Sequence, residues 1–333
     1  MAVAIAMLVA GCGSSPEAGP KEPSSKDAAT TVPGAARSAV KGSFGQVGGW
    51  IAYGGVDGIW AVDPARPNRR VWLSGAGRDP IAWSSDGTKL LIRRTSPRRL
   101  NGLYVLGADA TETRLTDGGD PTGGSFSPDG SEIVYADRVG EGPAIYARRL
   151  DGGAPRLILR STRRVSFPDG RSALAFVYEP ALSPDGTRIA YFDGMYDHSH
   201  HLWVANADGR ERRLVLGKEV SAAGHVRSLT WAPNGEWLAF VTDNSISLVR
   251  PDGTGLRRVA SPGLTAPGAQ WSPDGSRIAY LRIGETCLSV TGKDEDLTCE
   301  GTLSIANLSG IGEQVIEGIR TPQWSSIAWN PSG

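Results

Sequence analysis

One short pattern recurs along this 333-residue chain and restricts its possible folds more than any other feature. Each copy contains an aromatic residue or leucine, a four-residue turn with Asp-Gly or Asn-Gly, and an alternating apolar run. The copies are AWSSDGTKLLI from Ala82, SFSPDGSEIVY from Ser125, ALSPDGTRIAY from Ala181, TWAPNGEWLAF from Thr230 and QWSPDGSRIAY from Gln270. Repetition at intervals of roughly 40 to 60 residues predicts an architecture in which neighbouring units complete one another's core.

The turn in each copy has a local chemical explanation. Proline presets φ at the first central position, the Asp or Asn side chain hydrogen-bonds to nearby backbone, and glycine takes the positive φ at the end of the turn. We therefore assign a structural role to ten turn residues. They are Asp86, Gly87, Asp129, Gly130, Asp185, Gly186, Asn234, Gly235, Asp274 and Gly275.

A second strand pair with its own turn follows each copy, for example HLWVANADG and then RRLVL. One repeat thus contains four short strands, which is one blade of a β-propeller. No apolar pattern of period 3.6 is sustained long enough to predict a core helix. The predicted fold class is all-β, a propeller with four antiparallel strands in each blade.

The number of blades follows from the turn glycines. WIAY at Trp50 aligns with the RIAY that follows other turns, so Gly48 occupies the position of a turn glycine, and Gly333 ends an equivalent turn in the terminal IAWNPSG. Six steps separate these two equivalent positions, which predicts six blades. The C-terminal inner strand is expected to pair with the N-terminal strands, and this closure leaves no open edges in the ring.

These copies resemble the PD40 repeats, WD40-like β-propeller repeats, of the TolB family over about residues 44–333. The resemblance implies one six-bladed domain at residues 43–333 and a non-enzymatic role in protein interaction in the cell envelope. It does not imply a particular partner. Similar propellers precede the hydrolase domain of prolyl-oligopeptidase relatives, but the Gly-x-Ser-x-Gly nucleophile motif does not occur in this sequence.

The N-terminal segment is typical of an exported lipoprotein. Residues 2–11 are nearly all apolar but span only about half of a bilayer core of roughly 30 Å, so we interpret residues 1–11 as an export signal. The ending Val9-Ala10-Gly11-Cys12 resembles the bacterial lipobox, which predicts lipidation of Cys12 and anchoring to a membrane that faces the periplasm or the cell exterior. Residues 12–42, rich in Ser, Pro and Ala, predict a disordered tether. A chance apolar terminus is the alternative.

The other two cysteines, Cys287 and Cys299, lie in one polar stretch. In an oxidising compartment they predict a disulfide that closes a long loop, and free surface thiols are the alternative. The chain contains 35 basic and 35 acidic side chains, so a nucleic-acid partner that needs a broad basic field is not expected. We expect a monomer that uses no cofactor and binds an unidentified envelope protein or peptide.

Connections of unequal length indicate which face of the ring carries function. In a four-stranded blade the connections from second to third strand and from fourth strand to the next blade share one face, which we call the long-loop face. Its long connections are predicted at residues 94–101, 161–178, 193–200, 217–226 and 282–301. Long loops on a rigid scaffold commonly carry binding sites.

Charged residues on the long-loop face are the first group of candidate binding residues. Asp79, Asp120 and Glu179 precede inner strands at the mouth of the central channel, and Arg227 has a comparable position. These residues could attract a cation or a basic peptide, or they could form a solvated rim, which is the favoured interpretation. The three carboxyl groups are also the candidates for a propeller hydrolase acting on glycan or peptide, a less favoured alternative.

Histidines are the second group. His198, His200, His201 and His225 all fall on the long-loop face. They are metal-ligand types without a known ligand spacing, so no metal site is predicted and solvated loop histidines are the favoured interpretation. A propeller that senses a metal or a small ligand is the alternative.

Overall fold

The computed structural model describes residues 44–94, 102–116, 119, 121–137, 142–167, 169–195, 198–217, 220, 225–242, 245–260, 268–289, 297–309, 312–322 and 325–332. The predicted signal segment, the tether and Cys12 lie outside the described residues, as do Asp120 and Gly333. A 3-10 turn at Phe44–Gln46 precedes the strands. The strands form six four-stranded antiparallel blades arranged in a ring, so the prediction of a six-bladed β-propeller is confirmed.

Blades I to III contain the following strands. Blade I contains β26 (Ile327–Trp329), β1 (Ile51–Gly55), β2 (Gly58–Asp63) and β3 (Arg66–Gly75). Blade II contains β4 (Arg78–Trp83), β5 (Lys89–Arg94), β6 (Gly102–Gly107) and β7 (Glu112–Arg114). Blade III contains β8 (Thr122–Phe126), β9 (Glu132–Asp137), β10 (Ala144–Arg149) and β11 (Arg156–Arg160), and a separate hairpin of β12 (Arg164–Ser166) and β13 (Ser172–Leu174) follows it.

Blades IV to VI complete the ring. Blade IV contains β14 (Phe176–Leu182), β15 (Arg188–Met195), β16 (His198–Asn206) and β17 (Arg213–Leu216). Blade V contains β18 (Val226–Trp231), β19 (Leu238–Thr242), β20 (Ser245–Val249) and β21 (Arg257–Ala260). Blade VI contains β22 (Ala269–Trp271), β23 (Arg277–Ser289), β24 (Leu297–Asn307) and β25 (Glu313–Pro322).

The ring closes within blade I. β26 pairs antiparallel with β1, with Ile51 opposite Trp329 and Tyr53 opposite Ile327. The Arg70 guanidinium also crosses the junction with blade VI, where it donates to the carbonyl oxygen of Gly318 at 2.9 Å. The prediction that the C-terminal strand completes an N-terminal blade is therefore confirmed.

The hydrophobic core lies between neighbouring blades. The described buried side chains form six clusters, each of which combines residues of two adjacent blades. Large residues at the ends of the inner strands contribute to these clusters, for example Trp83, Trp231 and Trp271. The indole N–H of Trp231 donates to the carbonyl oxygen of Ala181 in the preceding blade at 2.9 Å. Because each blade supplies half of two clusters, the ring is expected to unfold cooperatively.

The repeated turns have the predicted chemistry and an additional serine. The Ser183 hydroxyl donates to Asp185 and accepts the backbone N–H of Arg188 at 3.0 Å, while Asp185 accepts the N–H of Thr187 at 3.0 Å. Gly186 has φ of +71°. The same arrangement occurs at Asp86, Asp129 and Asp274, and hydrogen bonds lower the pKa of each of these four carboxyls to about 2.

Three predicted loops differ from the structure. The connection at 161–178 contains the hairpin β12–β13, and the connection at 282–301 is mostly an extension of β23 and β24. The histidine-rich segment, expected to be an irregular loop, begins β16 at His198. In all three segments the alternation of apolar and polar residues is weak. Their polar composition therefore indicated loops where the structure has strands.

Candidate functional site

A central channel passes through the ring and is surrounded by the inner strands of the six blades. It encloses a cavity of about 620 Å³, and every blade lines it. The lining includes Ile81, Ser125, Leu182, Thr230, Gln270 and Ile327. Four charged residues lie around one end, on the long-loop face: Asp79, Arg93, Glu179 and Arg227. We call this group the channel mouth.

Asp79 is tightly held by neighbouring strands and is not a free acidic group. Its carboxylate accepts the backbone N–H of Ser326 at 2.8 Å and a guanidinium N–H of Arg93 at 3.2 Å. The hydroxyls of Ser325 and Ser326 lie 3.0 and 2.9 Å from its two oxygens. These contacts join blade II to the segment that enters β26. The expectation of a solvated rim is therefore wrong for Asp79.

Glu179 differs from Asp79 in its surroundings. It lies in a bulge of β14 between Tyr178 and Ala181, and its φ is +50°. The side chain is partly buried, and desolvation raises the pKa of its carboxyl to about 7, with Asp79 adding to the shift and Arg93 opposing it. Within the described part of the chain, no donor forms a hydrogen bond with this carboxyl. Glu179 is thus available to a ligand in the channel.

The other members of the channel mouth are basic. Arg93 lies opposite Asp79 in the β4–β5 register and was missed by the sequence analysis, although pairing the two strands would have placed it there. Arg227 lies in β18 and lines the same cavity, as expected. The channel mouth therefore combines two guanidinium groups with two carboxyl groups, one of which is uncharged in part of the molecules at neutral pH.

The histidine side chains that the structure describes do not form one metal site. His200 is buried, with 4% of its surface exposed, and its Nδ1 lies 2.5 Å from the hydroxyl of Tyr178. This contradicts the expectation that it is a solvated loop residue. His225 is exposed ahead of β18, and the side chain of His198 lies outside the described residues. The strand alternation of β16 separates neighbouring side chains onto opposite faces of the blade.

His201 belongs to a small charged cluster at the start of β16. Its Nδ1 lies 3.6 Å from Asp193, whose carboxylate is also 2.9 Å from the guanidinium of Arg163. Burial, and then the positive charge of Arg163, lower the pKa of His201, while Asp193 opposes this shift. His201 is therefore mostly neutral at pH 7, so its contact with Asp193 is not an ion pair at that pH. The carboxylate of Asp193 is instead paired with Arg163.

The extension of blade VI carries the disulfide. Cys287 and Cys299 are directly opposed in the β23–β24 register and are bonded, with their Cα atoms 4.1 Å apart. The predicted Cys287–Cys299 disulfide is therefore confirmed, but it joins two paired strands, whereas both cysteines had been expected in a long loop. Cys299 also pairs with Thr321 of β25, whose hydroxyl donates to the carbonyl oxygen of Gly54 at 2.9 Å. The extension is therefore joined to Gly54 of blade I, whose carbonyl oxygen also accepts the hydroxyl of Ser325, a residue bonded to Asp79.

Within the described residues, no group of three or more His, Cys, Asp or Glu side chains is arranged to hold a metal ion. Across the same residues, no helix has the length and apolar character needed to cross a membrane.

The fold and channel mouth define a class of protein, a six-bladed β-propeller with a charged opening on its long-loop face. No protein-family model matches the sequence. The sequence is nevertheless similar to TolB proteins. It is 32% identical over 158 residues to a Protein TolB homolog of Chlorobium luteolum, covering 46% of this chain and 31% of that protein.

A longer match confirms the similarity at lower identity. The Tol-Pal system protein TolB of Gluconobacter oxydans is 27% identical over 283 residues, which is 70% of this chain and 59% of that protein. The chain thus spans less than two thirds of the length of either relative. Among solved structures, TolB from Acinetobacter baumannii superposes with a TM-score of 0.65 at 16% identity, covering 85% of this chain and 67% of that one. The structural likeness supports the fold.

Proposed function

We propose that this chain is a non-enzymatic, TolB-like protein of the cell envelope that binds a protein or peptide through its long-loop face. The similarity to TolB proteins supports the envelope location and the interaction role. The choice of the long-loop face rests on one observation, the extension of blade VI. It projects beyond the four-stranded blade, is fixed by the Cys287–Cys299 disulfide, and is joined through Thr321 to Gly54 of blade I.

A rigid extension next to a charged opening favours recognition of a partner, because little conformational entropy is lost when pre-ordered residues bind. The opposite face has mostly tight turns, whose Asp side chains are engaged in hydrogen bonds within the turn. Such groups have little remaining capacity to bind a partner. A catalytic role is less well supported, although a relative named as an uncharacterized peptidase of Bacillus subtilis matches over 20% of its length.

Site-specific photo-crosslinking tests the choice of face. A photoreactive residue is introduced at Glu300 or Arg320, which are exposed on the extension, and in matched variants at Asp151 or Asp252, which are exposed in turns of the opposite face. We expect a discrete crosslinked species from cell envelopes with the first pair and none with the second. Crosslinks from the turn positions alone would contradict the proposal.

The proposal includes export and lipid anchoring at Cys12, with a monomeric propeller held at a membrane by the tether. Replacing Cys12→Ser should move the protein from the membrane fraction to the soluble fraction without changing its folding. Retention of that variant in the membrane fraction would remove the lipid anchor from the proposal. Light scattering of the purified chain tests the expected monomer.

A further inference from the structure

Three consecutive blades carry a basic edge on the outside of the ring. Their outermost strands, β11, β17 and β21, contain five arginines and no acidic residue. The outermost strands of blades II and VI, β7 and β25, both contain glutamate. Arg156, Arg213 and Arg257 are each the first residue of their strand and occupy equivalent positions in the register. The basic edge is therefore a repeated feature of blades III to V.

Two of these arginines are held in place by uncharged groups. Arg213 donates to the carbonyl oxygen of Asp252 at 3.0 Å and Arg257 to that of Leu308 at 2.7 Å, in both cases in the next blade. A carbonyl oxygen does not neutralise a guanidinium, and it occupies only one of the N–H donors of the group. Arg156, by comparison, forms an ion pair with Glu132 at 3.2 Å. Arg213 and Arg257 are therefore fixed in position and can still pair with an anion.

The acidic side chains near this edge are outnumbered. Residues 148–160, 208–216 and 250–260, which cover the three outer strands and the turns that enter them, together contain ten arginines and four acidic residues. The three turn aspartates are engaged within their own turns: Asp151 with Arg149, Asp208 with the N–H of Arg210, and Asp252 with Thr254. Arg213 also lies near Asp252, and the fourth acidic residue, Glu211, is exposed. The edge therefore keeps an excess of positive charge.

The same edge exposes leucine side chains. Leu157 follows Arg156, Leu214 follows Arg213, and Leu256 precedes Arg257. The three leucines are 42%, 46% and 43% exposed, and they are three of the five large apolar side chains that are exposed among the described residues. Basic groups beside exposed apolar groups are the combination with which interfacial segments bind anionic membranes. We call these six residues the arginine–leucine edge.

The arginine–leucine edge lies at the face of the ring where the propeller begins. Its arginines directly follow turns between third and fourth strands, which lie opposite to the long-loop face. Phe44, where the described chain begins, packs against Trp83 with 4.8 Å between ring centroids, and Trp83 is the last residue before a repeated turn on that same face. Residues 1–43 therefore enter the propeller at the face that carries the edge.

We propose that the arginine–leucine edge binds the surface of a membrane that contains anionic phospholipid. The lipid phosphates pair with the guanidinium groups, and the leucines enter the boundary between headgroups and acyl chains. A lipid surface is favoured over an acidic protein because the tether enters at the same face, an argument that rests on the proposed anchoring through Cys12. In this orientation the long-loop face is directed away from the membrane, towards a partner.

Co-sedimentation of the purified Cys12→Ser chain with vesicles tests the edge in the absence of a lipid anchor. The vesicles contain phosphatidylcholine alone or an equimolar mixture of phosphatidylcholine and phosphatidylglycerol. We expect binding to the mixed vesicles to be at least about tenfold tighter. This difference should vanish at about 1 M salt, where charges are screened beyond about 3 Å. Equal binding to the two vesicles would overturn the proposal, and no binding to either would do so in favour of an acidic protein.

Paired variants test the arginines. Arg213→Gln with Arg257→Gln should weaken binding to the mixed vesicles about thirtyfold, because each arginine near an anionic surface contributes about fivefold. The control pair, Arg171→Gln with Arg320→Gln, removes the same charge from exposed positions of the long-loop face and should change binding no more than about twofold. Arg213→Lys with Arg257→Lys retains the charge and should retain binding. Equal losses in the two glutamine pairs would show that net charge alone attracts the vesicles, which would contradict the proposal.

The leucines are tested by Leu157→Ala with Leu214→Ala, which should weaken binding about fivefold or more without unfolding the chain. Unchanged binding would overturn the role given to the leucines. The vesicle result does not depend on the lipid anchor, because every variant lacks it and all share residues 2–11. In cell fractions, washing membranes in about 1 M salt releases chains held by the edge alone, whereas lipidated chains stay bound. Failure of the anchor and failure of the edge are thereby distinguished.

Discussion

The backbone N–H of Asn330 donates to the carbonyl oxygen of Trp50 at 2.8 Å, which joins the end of the last inner strand to the residue before the first strand. Trp329, one residue earlier, donates its indole N–H to the carbonyl oxygen of Gly49 at 2.8 Å. Blade I therefore exists only when both ends of the domain are in place.

The closure of the ring should determine the stability of the whole domain. Trp329→Ala removes a buried indole from the core between blades VI and I, which should cost about 3–5 kcal/mol in the free energy of unfolding. Deleting residues 327–333 removes β26, which pairs with β1 and contacts β4. This deletion should therefore abolish the cooperative unfolding transition. Thermal unfolding followed by near-ultraviolet circular dichroism measures both variants.

The matched control for ring closure is Leu214→Ala, at a side chain that is 46% exposed in β17. It should change the free energy of unfolding by no more than about 0.5 kcal/mol. If the deletion variant kept native amide protection in blades III and IV, the view of one cooperative ring would be wrong.

The indole hydrogen bonds between blades can be tested by comparing two tryptophans. Trp231 and Trp271 are similarly buried, but the N–H of Trp231 bonds to Ala181, whereas that of Trp271 has no hydrogen-bond partner within the described residues. Replacement by Phe leaves comparable cavities at both positions. Trp231→Phe should therefore cost about 1–2 kcal/mol more than Trp271→Phe in urea unfolding. Equal costs would show that this bond contributes no net stability.

The turn aspartates should stabilise the fold in a defined pH range. The pKa of Asp185 in the folded chain is about 2, below the ordinary aspartate value of 3.8, chiefly because the Ser183 hydroxyl and the N–H of Thr187 bond to the carboxylate. This contribution is fully present above pH 4 and is lost as the pH falls from 4 towards 2. Asp185→Asn should thus destabilise the chain at pH 7, and the difference from the unmutated chain should shrink below pH 4.

Blade V contains a natural contrast for that prediction, because Ala232 and Asn234 occupy the positions of the serine and the aspartate. Asn234→Asp alone places a carboxylate beside Glu236 without the serine hydroxyl, so no gain in stability is expected. Combining it with Ala232→Ser should restore the stabilising arrangement above pH 4. Urea unfolding at pH 7 and pH 3 compares the two variants, and equal behaviour would contradict the role given to the serine.

The disulfide of the blade VI extension should stabilise the native state mainly by restricting the unfolded chain. In the chain-entropy model, a loop of this size contributes about 3 kcal/mol. The variant with both Cys287→Ser and Cys299→Ser should lose up to that amount relative to the oxidised chain in urea unfolding. A reducing agent should bring the unmutated chain to the same value and leave the double variant unchanged. No response of the unmutated chain to reduction would contradict the prediction.

Most of the fold could be predicted from the sequence because its signals are local. Each turn is encoded by residues adjacent in sequence, such as Asp185 and Gly186, and repetition identified the blades without any long-range information. Alignment of WIAY with the other repeats was sufficient to predict the pairing of β1 with β26. Turn chemistry and period-two patterns depend on nearest neighbours, which a sequence displays directly.

The candidate site was less predictable, because its properties depend on distant residues. Asp79 and Glu179 are both carboxyls next to inner strands, yet Asp79 is bonded to a serine pair 246 and 247 positions away, and Glu179 has no such partner. His200 follows two polar residues in sequence but is buried against Tyr178. Arg93 became part of the channel mouth only through its pairing with Asp79.

The all-β class, the four-stranded repeat, the six blades and the pairing of β1 with β26 could all be predicted from the amino-acid sequence alone. Those features arise from backbone preferences and apolar periodicity, which act over a few residues. Which charged side chains are hydrogen-bonded, and which line the channel, became apparent from the three-dimensional arrangement of the blades. Burial, pKa and hydrogen bonding depend on three-dimensional neighbours, and in a closed ring these neighbours come from different blades.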